Sequence, residues 1–164
     1  EVVFNTAMSG YVETLTDPSY RGQILLLTYP LIGNYGVPAP RMPGSLDPPY
    51  ESDRIQVQGL VVQHYVDHPS HHASRRTLAQ WLANENIPAI TAIDTRTLTR
   101  RLREYGTLRG WLIPADMTLA EAGRVADHHG FFVSELAEHV RRLVAAGPEV
   151  FRRRTDVRHG GALV

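Results

Sequence analysis

Cysteine is missing from all 164 residues. That excludes a disulfide framework, a thiolate metal site and a cysteine nucleophile. An excess of either charge is missing too, because seventeen basic and seventeen acidic residues cancel. No global field draws such a chain to nucleic acid or to an anionic membrane surface. No apolar run approaches the ~20 residues that span a bilayer, so a soluble chain is expected. Nothing in the opening residues reads as a targeting peptide, with a basic patch ahead of an apolar core. The chain enters its first apolar run at Glu1, which reads as a processed or truncated start. What remains is ordinary globular composition, 43% hydrophobic and 21% charged, at a length that suits one domain with a real core.

The stretch from Glu1 to Val37, EVVFNTAMSGYVETLTDPSYRGQILLLTYPLIGNYGV, organises the chain. Glu1–Phe4 and Gln23–Tyr29 read as strands, being β-branched, aromatic or leucine-rich and ending at turn residues. Asn5–Gly22 between them is polar and turn-rich, and reads as a long irregular loop on a rigid support. Pro30, Gly33-Asn34 and Gly36 close the unit.

Pro38–Asp53 has five prolines in sixteen residues and reads as an extended surface loop. Ile55–Tyr65 reads as a core strand with Gly59 as a candidate bulge. His64, His68, His71 and His72 follow; imidazoles at such spacing suit metal ligation on a helix face. Pro69 breaks any such helix, so a histidine-rich surface loop and no metal site are expected.

A helix is predicted from Ser74 or Arg75 to Asn86, with Leu78, Trp81 and Leu82 on one face and Ser74 or Thr77 as cap. Ile87-Pro88 ends it, and Ala89–Ile93 reads as a short strand buried on both faces. Asp94 caps the next helix, which buries Leu98, Leu102 and Tyr105 and stops at Gly106. Arg96, Arg100, Arg101 and Arg103 crowd that helix and read as a solvated or partner-facing surface rather than a nucleic-acid site. Leu108–Pro114 reads as a strand. Thr118 and Glu121 form a capping box toward His128. Ser134 caps a last helix with Leu136, Val140, Leu143 and Val144 on one face, followed by Gly147-Pro148. The alternation of strands and helices predicts an α/β fold.

Two long ordered segments carry a resemblance. FNTAMSGYVETLTDPSYRGQI with LTYPLIGNYGV, and then IPAITAIDTRTLTRRLREYGTLRGWL at Ile87–Leu112, closely resemble the N-terminal domain of the small, glutamine amidotransferase subunit of glutamine-dependent carbamoyl-phosphate synthetase. The resemblance implies a three-layer β/β/α domain of the swivelling type, with a mixed sheet and about three to four helices, over residues 1–146. It further implies that leading strands precede EVVFNT in relatives and are missing here. Residues 147–164, with the basic run Arg152–Arg154, depart from the family and are expected to form a disordered tail. The amidotransferase domain, with its cysteine, histidine and glutamate, is expected to be absent.

What the resemblance implies for function is a non-catalytic part. It holds the small subunit against the large synthetase subunit and completes the glutamine pocket, in support of carbamoyl phosphate synthesis for pyrimidines and arginine. The serine of the family's TDPSY motif, which reaches that pocket, matches Ser19; no catalytic residue is assigned. ATP and magnesium belong to the large subunit, and no cofactor is expected in this chain. Its implied partners are the large subunit, the absent amidotransferase domain and glutamine, with no nucleic acid and no membrane, in the cytoplasm. A stand-alone interaction module keeping the docking surface is the alternative. A hydrolase using Ser19 with His64 lacks a nucleophile elbow and a third triad member.

Overall fold

The computed structural model describes residues 1–39, 50–106 and 108–112. The elements predicted around Thr118, Ser134 and Arg152–Arg154, and most of the Pro38–Asp53 loop, lie outside the described residues.

The fold is α/β. Four parallel strands, β1 (Val2–Asn5), β2 (Ile24–Leu27), β4 (Gly59–Val61) and β6 (Ala89–Ile90), form a sheet in the order β1-β2-β4-β6. The register sets Val2 opposite Ile24, Ile24 opposite Gly59 and Leu60 opposite Ala89. Leu108 makes an antiparallel bridge to Val2 on the outer edge of β1, and so makes the sheet mixed. A second parallel pair joins β3 (Leu31–Ile32) to β5 (His64–Tyr65).

Side chains alternate across the sheet, and the two faces make two cores. Leu25, Leu27, Leu60 and Val62 meet Ile32 of β3, Tyr11, Val12 and Leu15 of α1 (Tyr11–Thr16), and Leu78, Trp81 and Leu82 of α2 (Leu78–Asn84). Val2, Leu26, Val61 and Ile90 meet Ile93 and the Leu98 and Leu102 face of α3 (Thr95–Tyr105). The layers are therefore α3, the four-stranded sheet, and the small sheet with α1 and α2.

Several expectations change in detail. Asn5–Gly22 is not irregular, since it holds α1 and a 3-10 turn at Pro18–Tyr20. Threonine and β-branched residues favour helices weakly, and here burial of Tyr11, Val12 and Leu15 outweighs propensity. Ile55–Tyr65 splits, because the chain leaves the large sheet after Val61 and enters the small one at His64. Gly59 is no bulge but a register position; a side chain there would collide with Leu112. α2 begins only after Thr77, because Val37 and the Arg75-Arg76 backbone pair first, with Val37 N donating to Arg76 O at 2.9 Å. Thr77 is the cap, with a reciprocal capping box to Gln80.

The Ala89–Ile93 strand stops at Ile90, because Gln63 O draws in the Ala92 N–H at 2.9 Å and Ala92 turns to φ 65°. Tyr105 is 73% exposed, not buried, since it lies at the open last turn beside Gly106. Of the strand predicted at Leu108–Pro114, Leu108 makes the single bridge and 109–112 run outside any strand.

Asp94 behaves as its position predicts. Its carboxylate accepts from Thr97 N at 3.0 Å and from Thr97 Oγ1 at 2.8 Å. The Thr97 backbone N–H, and then the Thr97 hydroxyl, hold the carboxyl below its usual range. A depressed folded pKa gives stability that is present above the unfolded pKa and fades as pH falls through the folded one. Asp94→Ala should cost about 0.5–2 kcal/mol at neutral pH, toward the low end because the site is exposed. In paired denaturant titrations the difference from wild type should shrink below about pH 4. A difference that stays constant down to pH 2 would show that the carboxylate is not the cap.

Candidate functional site

Ser19 sits in the middle of the 3-10 turn that joins α1 to β2, and it is exposed. Asp17 opens the turn and accepts the Ser19 N–H on Oδ1 at 2.8 Å, while Pro18 presets the backbone at the first position. Tyr20 N donates to Asp17 O and Arg21 N to Pro18 O, each at 3.1 Å. Gly22, at φ 78°, then bends the chain into β2, and its N–H donates to Gln56 O. Ser19 is thus exposed on a turn whose backbone N–H groups are taken up by the turn itself. A hydroxyl donates one hydrogen bond and accepts others, which suits a polar ligand.

The start of α1, at the other end of the helix from this turn, is held by aromatic rings. Tyr11 and Tyr35 stack at 4.1 Å between ring centroids, and the Tyr35 hydroxyl accepts both Gly10 N–H and Tyr11 N–H at 2.8 Å. It thereby caps α1, whose N-cap residue is the glycine Gly10 with no side chain to do so. Tyr11 donates to Gly36 O at 2.6 Å. Burial pushes the phenols of Tyr11 and Tyr35 above their usual range, so neither offers a phenolate base at neutral pH. The irregular-loop reading of Asn5–Gly22 missed this support. The signal lay in Tyr11, Val12 and Leu15, at i, i+1 and i+4 behind Gly10.

The sheet does not bring Ser19 and His64 together. β2 and β4 run parallel, Ser19 precedes β2, and His64 follows β4, so the two lie at opposite ends of the sheet. His64 is exposed in β5, and the His71 and His72 rings are 4.3 Å apart in an exposed loop. Among the described residues, no three His, Asp or Glu side chains converge as a metal site. A cleft of about 690 Å³ opens at the N-terminal ends of the strands, bordered by Glu1, Gly22, Gln58, Pro88 and residues 108–112. Ser19 is not in its wall.

An α/β domain displaying a polar turn beside a parallel sheet is the class that these features define. Residues 1–112 match the family model described as carbamoyl-phosphate synthase small chain, CPSase domain, and the chain belongs to that family. It is 51% identical over 110 residues to the carbamoyl phosphate synthase small chain of Saccharolobus solfataricus, covering 67% of this chain and 30% of that one. Its identity to the small chain of Bacillus thuringiensis subsp. konkukian is 43% over 153 residues, or 90% of this chain and 37% of the relative. It is also 52% identical over 116 residues to the multifunctional protein URA2 of Saccharomyces cerevisiae, covering 68% of this chain and 5% of that protein. The chain therefore spans about a third of the small chains it matches, and far less of the yeast protein.

Proposed function

We propose that this chain acts as the non-catalytic N-terminal part of a carbamoyl-phosphate synthase small chain. In this reading it docks to the large synthetase subunit and completes the glutamine site, serving carbamoyl phosphate synthesis for pyrimidines and arginine in the cytoplasm. The observation that carries it is exposed Ser19 on a turn that takes up its own backbone N–H groups, within residues that belong to this family. Glutamine hydrolysis by a thiolate needs a cysteine from a further domain, because this sequence has none. Residues 1–146 form the docking domain in this reading, 147–164 lie beyond it, and ATP and magnesium act in the large subunit.

The test replaces the matching segment of the Saccharolobus solfataricus small chain with residues 1–112 and assembles the product with its large subunit. Co-purification and ammonia-dependent synthesis are expected. Ser19→Ala should then raise the apparent glutamine KM roughly two- to twelve-fold, the worth of one neutral hydrogen bond of ~0.5–1.5 kcal/mol. Ammonia bypasses the pocket, so the ammonia-dependent rate should stay unchanged. Failure to co-purify would remove the docking role. Equal loss of both activities would move Ser19 from the pocket to folding or docking.

A further inference from the structure

We infer that Asn5 and Tyr20 are positioning residues for Ser19: the Asn5 carboxamide holds the Tyr20 phenol and thereby fixes where the serine turn points. This inference rests on the reading of Ser19 as a ligand-binding residue.

Pro18–Tyr20 is a single 3-10 turn of three residues, too short to hold itself in place. The bonds around Ser19, from Ser19 N to Asp17 Oδ1, Tyr20 N to Asp17 O and Arg21 N to Pro18 O, are all internal to the turn and its flanks. They fix its shape but leave its orientation to whatever it is tied to outside. On the entry side Asp17 N reaches Thr14 O only at 3.4 Å. The firm ties sit one residue earlier, where Thr16 O accepts Ser52 Oγ at 2.6 Å and Thr16 Oγ1 accepts Glu51 N at 2.9 Å. The exit is anchored at Gly22, whose N–H reaches Gln56 O at 3.1 Å, and at Gln23, whose N–H reaches Tyr20 O at 3.1 Å. These ties hold the two ends of the turn, while its tilt between them depends on its own side chains.

Within the turn, the link to the sheet is the side chain of Tyr20. Its ring packs against the core beneath α1, and its hydroxyl accepts from Asn5 Nδ2 at 3.2 Å. Asn5 closes β1 and is itself held. Its backbone O accepts Thr28 N at 2.9 Å, and its Oδ1 accepts Ala7 N at 2.6 Å. That second bond sets the amide orientation. Flipping the carboxamide would turn its NH2 group onto the Ala7 N–H, donor against donor. With Oδ1 committed to Ala7, Nδ2 must face Thr14 Oγ1 and Tyr20 Oη. The register of the sheet is thus transmitted through β1 and Asn5 to Tyr20, the residue next to Ser19.

The consequence is angular. Hydrogen bonds weaken steeply as they bend, and small misplacements of a ligand contact lose most of its worth. Removing the Asn5–Tyr20 link should leave the turn folded while letting its hydroxyl wander.

The test uses the small chain carrying these residues, assembled with its large subunit, with glutamine- and ammonia-dependent rates measured side by side. Tyr20→Phe keeps the ring and its packing and removes only the acceptor. Asn5→Leu removes the donor, whereas Asn5→Asp can accept the Tyr20 O–H as well as Ala7 N–H and so remakes the link. Tyr20→Phe and Asn5→Leu should each raise the glutamine KM about two- to five-fold with ammonia-dependent synthesis unchanged, and Asn5→Asp should stay within about two-fold of wild type. Once Ser19→Ala is present, adding Tyr20→Phe should cost nothing further, because a positioning residue has nothing left to position. A merely structural role predicts the opposite, equal losses with glutamine and ammonia and an additive double variant, and that result overturns the inference. If Ser19→Ala raises the KM and Tyr20→Phe does not, the inference falls and the reading of Ser19 stands. If Ser19→Ala itself leaves glutamine use unchanged, both fall together.

Discussion

Ile93→Asp should abolish cooperative unfolding. Ile93 is only 6% exposed and packs with Val2, Leu26, Val61, Ile90, Leu98 and Leu102, an all-aliphatic pocket between the sheet and α3. A carboxylate placed there must either stay charged without a partner or take up a proton, and both cost several kcal/mol. Set against a typical domain stability of roughly 5–15 kcal/mol, that loss leaves little or no folded state. The position matters although it lies beyond the end of β6. The turn at Ala92 swings Ile93 back under the sheet and delivers Asp94 to the start of α3. Tyr105→Asp, at the exposed end of the same helix, is the matched control and should melt within about 0.5 kcal/mol of wild type. Thermal unfolding followed by circular dichroism reads both variants. A sharp, unshifted transition in Ile93→Asp would mean that the side chain is not in the core.

Trp81→Ala should be nearly as severe. Trp81 is among the largest fully buried side chains, and it joins α2 to the segment around Tyr50–Val57. Its Nε1 donates to Glu85 Oε1 at 2.6 Å, and the other carboxylate oxygen of Glu85 accepts Ile55 N, also at 2.6 Å. Tyr50 meets its ring edge-on at 5.6 Å, and the Arg76 guanidinium lies 5.2 Å from the ring centroid. Truncation leaves a cavity of most of an indole and typically costs about 3–5 kcal/mol. Trp81→Phe keeps much of the volume and loses only the Glu85 bond, so it should cost clearly less. Urea midpoints for the two variants give the comparison, and equal midpoints would show that the cavity does not set the cost.

Where packing follows a strong period, the sequence was readable. Leu78, Trp81 and Leu82 announced α2, and Asp94 ahead of Leu98 and Leu102 announced α3 with its cap. The leucines of Gln23–Tyr29 announced β2, since a strand buried on both faces needs an unbroken apolar run. Harder to read was anything set by a distant partner. Thr77 rather than Ser74 starts α2 because Val37 occupies the backbone of Arg75 and Arg76 first. Ala89–Ile93 stops short because of Gln63, about thirty residues earlier in the chain. α1 was hidden because its threonines are poor helix formers and its cap comes from Tyr35 rather than from the neighbouring residue. Of the site, the TDPSY motif located Ser19, but the bond between Asn5 and Tyr20 beside it is a tertiary fact without a local sequence signal.

The bridge between Val2 and Leu108 has a kinetic side. Among the described residues, β1 is closed on its outer edge by a residue about a hundred positions later. At synthesis rates of ~5–20 residues per second, β1 waits on the order of 5–20 s for that partner. Its inner neighbour β2 follows soon after, but β2 in turn pairs with a strand some thirty-five residues further on, across the proline-rich segment. Sheets assembled from pairings of such separation fold slowly for their size. Until Leu108 is made, the β1 edge that it closes is open to other strands, and shielding it falls to whatever meets the chain at the exit tunnel.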